Sequence, residues 1–142
     1  IPLGESAPVA GTPMDFVNEK PIGQDINADF EPLKIGKGYD HCWVIDGAEP
    51  GQIQFCCELY APESGRSLDI YTTQPGVQVY TGNWLAGSPI AKCGRSYNDY
   101  DGVAIECQNF PDSPNKADYP SPVLRPGEVY EQAIIFAFGV RK

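Results

Sequence analysis

The sequence predicts an all-β chain whose antiparallel strands pack as a sandwich, and three observations lead there. Short runs with two-residue alternation recur along it: "HCWVI", "GQIQFCCELY", "RSLDIYTT", "GVQVYTG", "GVAIECQ" and "QAIIFAFGV". Fifteen glycines and fourteen prolines are spread between such runs as punctuation, without forming a repeat or a linker. Runs set off by Gly, Pro, Asn or Asp read as strands. No long stretch combines 3.6-residue apolar spacing with caps at both ends, so helix is a minor component.

Residues 1–40 differ from the rest of the chain. "GTPMDFVNEKPIGQDINADFEPLKIGKGYD" is polar and turn-rich, and it reads as an extended lead-in to the first clear strand at Cys42. A loop of that length in a compact domain is functional or packs against something else. Residues 41–142 carry the strands. In "YTTQPGVQVYTGN" the Gln-Pro-Gly step reads as a type II turn with Gly76 at the positive-φ position. "LRPGE", Leu124 to Glu128, reads as a second turn, before the last strand. Neither opens a helix, so neither is a phosphate-cradling loop.

Alternation assigns faces. Val103, Ile105 and Cys107 fall on one side of their strand, with Ala104, Glu106 and Gln108 on the other. Val77, Val79 and Thr81 share a side, opposite Gly76, Gln78 and Tyr80. The apolar sets suit a core. The opposite faces carry amide, phenol and carboxylate groups, which suit a polyhydroxylated ligand.

Ten basic against nineteen acidic residues give a net charge of -9. Such a surface repels phosphate backbones and anionic lipid, so neither nucleic acid nor a membrane is an expected partner. No apolar run approaches the roughly 18 residues of a membrane span. The opening "IPLGESAPVAG" has no Met and no charged-then-apolar leader, so the chain reads as part of something longer. Cys42, Cys56, Cys57, Cys93 and Cys107 are odd in number, and two are adjacent, so they read as free thiols of a reducing compartment. No CxxC pair or His/Cys cluster has metal-ligand spacing, and no metal site is expected.

The candidate site rests on residue chemistry. A sugar needs groups that meet hydroxyls as both donors and acceptors. Glu106, Gln108, Gln78, Tyr80, Asp40 and Asn83 could supply them if neighbouring strands bring them together. Solvated acids and amides on an outer strand face are the plainer reading of the same pattern. His41, the only histidine, is a candidate pocket group by its titration range, or else a structural residue beside Trp43. It forms no nucleophilic dyad with Cys42, because adjacent strand residues point to opposite faces.

"GTPMDF", "GYDHCWV", "SGRSLDIYTTQPGVQVYTGNWL", "IECQNFPDSPN" and "LRPGEVY" stand in the order and approximate spacing of the aldose 1-epimerases, the galactose mutarotases. From about Gly11 onward the chain resembles the C-terminal half of that family. The resemblance implies part of a large antiparallel β-sandwich, the mutarotase supersandwich, acting on a free hexopyranose without metal or redox cofactor. It makes Glu106 the catalytic base and gives Asp40 and Gln78 to sugar hydroxyls. The family's general-acid histidine lies in the amino-terminal half and has no match here, since His41 aligns with the "GYDH" histidine. Half a sandwich would expose sheet edges and an inner face. A second polypeptide carrying the N-terminal half is therefore the expected partner, this chain alone is expected to be inactive, and the expected compartment is the cytoplasm. A non-catalytic carbohydrate-binding relative is the alternative. A relative acting on hexose 6-phosphates would call for a basic cluster, which the acidic balance does not offer.

Overall fold

The computed structural model describes residues 6–141. In chain order it contains α1 (Glu31–Gly36), β1 (Asp40–Val44), β2 (Gln54–Ala61), β3 (Arg66–Thr72), β4 (Gly76–Tyr80), β5 (Ala104–Gln108), a 3-10 turn (Ser113–Asn115) and β6 (Ile134–Val140). The class is all-β, as expected, and every predicted strand run is present. One sheet has the order β1-β4-β5 and the other β2-β3-β6. The described residues fall into two compact units, 6–41 with 78–105 and 42–77 with 106–141.

In the first unit the lead-in is not loop throughout, because α1 closes it. Pro32 in the first turn presets helical φ, and Glu31 and Lys34 sit at the ends that the helix dipole favours. The chain leaves through Lys37, at φ 55, and the Gly38 N–H reaches the Leu33 carbonyl at 2.9 Å. That closure satisfies a terminal carbonyl as a Schellman motif does. At six residues α1 is too short to show a period, and an isolated helix so short is unstable in water. Burial of Leu33, 2% exposed, holds it in place.

The "GTPMDF" segment folds through its own side chains. Met14 N–H donates to Thr12 Oγ1, and Gly11 and Val17 N–H donate to the Asp15 carboxylate. Tyr39 is buried behind it, donating from its hydroxyl to the Pro13 carbonyl at 3.0 Å and meeting Phe16 edge-on. Burial, with Asp25 adding, pushes the Tyr39 phenol up to about 12. Lys20 pairs with Asp25 at 2.8 Å and lies over the Phe16 ring.

The second unit is organised by β3, which pairs antiparallel with β2 on one side and β6 on the other. Directly opposed residues share a face. Cys57, Ile70 and Phe136 therefore lie on one face, and Phe55, Tyr71 and Ile135 on the other. The ladder between β2 and β3 shifts between Phe55 and Cys57, which leaves Cys56 as a bulge residue. Ile45, Ile70 and Val77 are the buried apolar residues of this unit. β6 is an edge strand exposed along its whole length, from 45% at Ile134 to 81% at Phe138.

Two expectations are corrected. Gly76 does not have positive φ; it opens β4 in extended conformation. Its glycine is required for space, since a Cβ there would lie 2.9 Å from the Phe110 ring and 3.0 Å from Cys42 Sγ. Gly127 does adopt φ 87, and Glu128 N–H closes onto the Arg125 carbonyl, so "LRPGE" is the turn foreseen. The face assignment also fails in part. Val103 lies outside β5 and is 41% exposed, while Gly76, Val77 and Gln78 are consecutive and all buried. β4 is the central strand of its sheet, covered on both faces, so alternation there does not separate inside from outside.

Candidate active site

In the first unit, β1 and β4 bring Asp40 and Gln78 together. Gln78 Nε2 donates to Asp40 Oδ1 at 2.8 Å. Gln78 is 2% exposed, and its Oε1 is buried with no protein partner among the described residues. An unmet buried acceptor is costly, so this oxygen calls for a donor such as a hydroxyl. A carboxylate held at one oxygen keeps lone pairs for further donors. The pair thus presents two acceptors side by side.

His41 stands next to them, 8% exposed. Its Nδ1 accepts from the Asp40 N–H at 3.0 Å, and its other ring N–H donates to the Pro32 carbonyl. The neutral Nε2–H tautomer follows from that pattern. Burial lowers its pKa below the ordinary 6.5, against the opposing pull of Asp40 and the Pro32 carbonyl.

Asn83 is fully buried, and its polar atoms are spent inside the unit. Nδ2 donates to the Gly36 carbonyl at 2.7 Å and to the Tyr39 carbonyl at 2.9 Å. Oδ1 accepts from Thr81 Oγ1 at 2.5 Å, and Thr81 Oγ1 accepts from the Tyr39 N–H at 3.1 Å. Gly38, at φ 134, passes so close that a Cβ would lie 2.7 Å from Asn83 Oδ1. The Tyr80 hydroxyl accepts from the Trp84 N–H at 3.0 Å. Thr81 and Gly38 were not among the sequence candidates. The only signal for them was their place in "GKGYD" and "YTGN", on either side of named residues.

Trp84 is 61% exposed, with the Lys37 ammonium 4.0 Å over its ring. Lys37 also pairs with Asp99 at 3.2 Å. Asp99 accepts from the Ala86 N–H, which with Lys37 holds its carboxyl below the usual range.

In the second unit, Glu106 projects from β5 as an exposed residue, with Cys107 and Gln108 half-buried beside it. Burial raises the Cys107 thiol, whose neighbours are Thr72 and Cys56. The "NFPD" segment after β5 is a tight turn. Asp112 sits at φ 62, Ser113 Oγ donates to the Phe110 carbonyl, and the 3-10 turn comes next. Phe110 packs edge-on against Tyr119 at 5.2 Å. Beyond it, Asn109, Leu124, Glu128, Tyr130 and Gln132 line part of an open groove of about 490 Å³. Among the described residues no group of three or more His, Cys, Asp or Glu could hold a metal ion. No helix among them is long and apolar enough to cross a membrane.

Comparison with known proteins gives these residues a context. The family model described as aldose 1-epimerase matches residues 1–137. The galactose mutarotase of Homo sapiens is 41% identical over 140 residues, covering 99% of this chain and 39% of that protein. The aldose 1-epimerase of Escherichia coli (strain K12) is 36% identical over 140 residues, covering 97% and 40%. The crystal structure of a GalM/aldose epimerase homologue from C. elegans superposes with a TM-score of 0.81 at 28% identity, covering 99% of this chain and 41% of that one. The chain thus spans about two fifths of the length of these relatives.

Proposed function

The chain belongs to the aldose 1-epimerase family, and from that premise we propose that it is part of a mutarotase interconverting the α and β anomers of a free aldohexose. Glu106 is the base that takes the proton from the C1 hydroxyl. A general-acid histidine from outside this chain protonates the ring oxygen, and the C1–ring-oxygen bond breaks to give the open-chain aldehyde. Rotation about C1–C2 and closure on the other face, with both protons returned, completes the reaction. Asp40 and Gln78 accept from sugar hydroxyls, and Gln108 and Tyr80 border the site. The chemistry calls for no metal or redox cofactor, because only protons move.

The observation that carries this reading is the family match over residues 1–137. Two others support it. The buried Gln78 oxygen beside Asp40 is a ready acceptor for a sugar hydroxyl. The uncovered β6, with Ile134, Phe136, Phe138 and Val140 exposed, suits a sheet that continues into a second polypeptide bearing the N-terminal half. The reading places the assembled enzyme in the cytoplasm. The test is to combine this chain with a polypeptide carrying the complementary family half and to follow freshly dissolved α-glucose by polarimetry. The rotation is expected to relax faster only with both present. Equal acceleration by this chain alone, or none by the assembly, would refute the proposal.

A further inference from the structure

We infer that His41 is a positioning residue for sugar binding: its imidazole bridges α1 to β1 and fixes the peptide that carries Asp40. This rests on the reading of Asp40 as a sugar-hydroxyl acceptor.

The geometry is local and buried. β1 lies at the edge of the β1-β4-β5 sheet. Tyr39 already exchanges hydrogen bonds with Thr81, its carbonyl accepting from the Thr81 N–H at 3.1 Å and its N–H donating to Thr81 Oγ1. The next N–H along the chain, that of Asp40, points away from β4, as alternation on a strand requires. At a sheet edge such a donor needs another acceptor. His41 Nδ1 supplies it at 3.0 Å. The opposite ring nitrogen is anchored on the Pro32 carbonyl, in the first turn of α1.

Both imidazole nitrogens are thus engaged with backbone, and the residue is 8% exposed. It has no free nitrogen with which to meet a sugar. What it can do is hold the peptide plane ahead of Asp40, while Gln78 holds the carboxylate from the other side at 2.8 Å. Asn83 clamps the Gly36 and Tyr39 carbonyls just upstream. With His41 lost, the Asp40 N–H would lack its acceptor and the carboxylate would be held less firmly. Sugar affinity should fall, and the proton transfer assigned to Glu106 should be little changed.

The test uses the active assembly, with α-glucose as substrate. His41→Phe keeps the volume and removes both nitrogens; His41→Asn places Oδ1 near the position of Nδ1; His41→Gln keeps only a donor toward Pro32. We expect His41→Phe to raise KM about tenfold with kcat within about twofold, the scale of one lost hydrogen bond supporting a charged group. His41→Asn should recover most of that KM, and His41→Gln should not. An unchanged KM in His41→Phe overturns the inference, as does His41→Gln performing as well as His41→Asn. If His41→Phe does not fold, the Asn and Gln variants still decide the matter. Asp40→Asn is the control for the underlying reading: an unchanged KM there refutes the sugar-binding role of Asp40. The His41 geometry is then judged by ¹⁵N NMR of the imidazole at pH 7, where a protonated Nδ1 would overturn it.

Discussion

Gln78 donates its side-chain amide to the Asp40 carboxylate across 2.8 Å, and its own oxygen is buried beside that contact with no protein partner among the described residues. The amide is therefore the neutral spacer that lets a carboxylate and a second acceptor share one small space. Gln78→Glu would remove the donor and set two carboxylates against each other, which raises the pKa of one of them. We expect KM for the sugar to rise at least about tenfold at pH 7.5, and to improve as the pH is lowered toward 5. Polarimetric rates across that range check it; a pH-independent KM would count against the pairing.

Glu106 is exposed on β5 and carries the proposed base role. Glu106→Gln keeps the shape and hydrogen-bonding reach but cannot take a proton. The mutarotation rate of the assembly should fall by roughly 10²–10⁴-fold, the range typical of a positioned base. Sugar affinity, measured by calorimetry, should stay within about threefold of the unaltered value, since the amide still bonds hydroxyls. Near-normal turnover would remove Glu106 from the mechanism.

Asn83 is fully buried with both ends of its amide bonded. Asn83→Ala takes the side-chain donor from the Gly36 carbonyl, removes one of the donors to the Tyr39 carbonyl and leaves a small void, and should destabilise by about 2–4 kcal/mol in urea denaturation. Asn83→Asp keeps the size but turns a donor toward the Gly36 and Tyr39 carbonyls into an acceptor. It should be worse than alanine at pH 8 and recover part of the loss at pH 5, where the carboxyl can hold a proton.

His41 makes stability depend on pH in one direction. Burial holds its folded-state pKa below 6.5, so the unfolded chain binds the proton more readily. The stability from keeping it neutral is fully present above 6.5 and lost as pH falls through the lowered folded value, with a slope of at most about 1.4 kcal/mol per pH unit. Thermal melts between pH 8 and pH 5 should show the gap between the unaltered protein and His41→Asn narrowing toward acid.

The strands were legible because a half-buried strand writes its period into the sequence, as "RSLDIYT" does for β3. α1 was not, because fewer than two turns held by Leu33 and Asn83 depend on distant residues. Gly76 was singled out, but for a turn conformation; the close approach of Phe110 and Cys42 that requires it lies far off in the sequence. At the site, residue type marked Asp40, Gln78, His41 and Asn83 alike as hydrogen-bonding groups. Which of them turn their atoms toward backbone, as His41 and Asn83 do, is decided by tertiary contacts that no local pattern encodes.

The bulge at Cys56 acts as a phase shifter. Strand side chains follow a two-beat code, and one extra residue moves everything before it by half a period. The edge-on meeting of Phe55 with Tyr71, at 5.6 Å, exists only because that half-beat has been inserted. Making the ladder regular with Cys56 still in place would set Cys56 opposite Tyr71 and send Phe55 and Gln54 to the opposite faces of the sheet. In this strand a frame of one amino acid matters more than the identity of the residue that fills it.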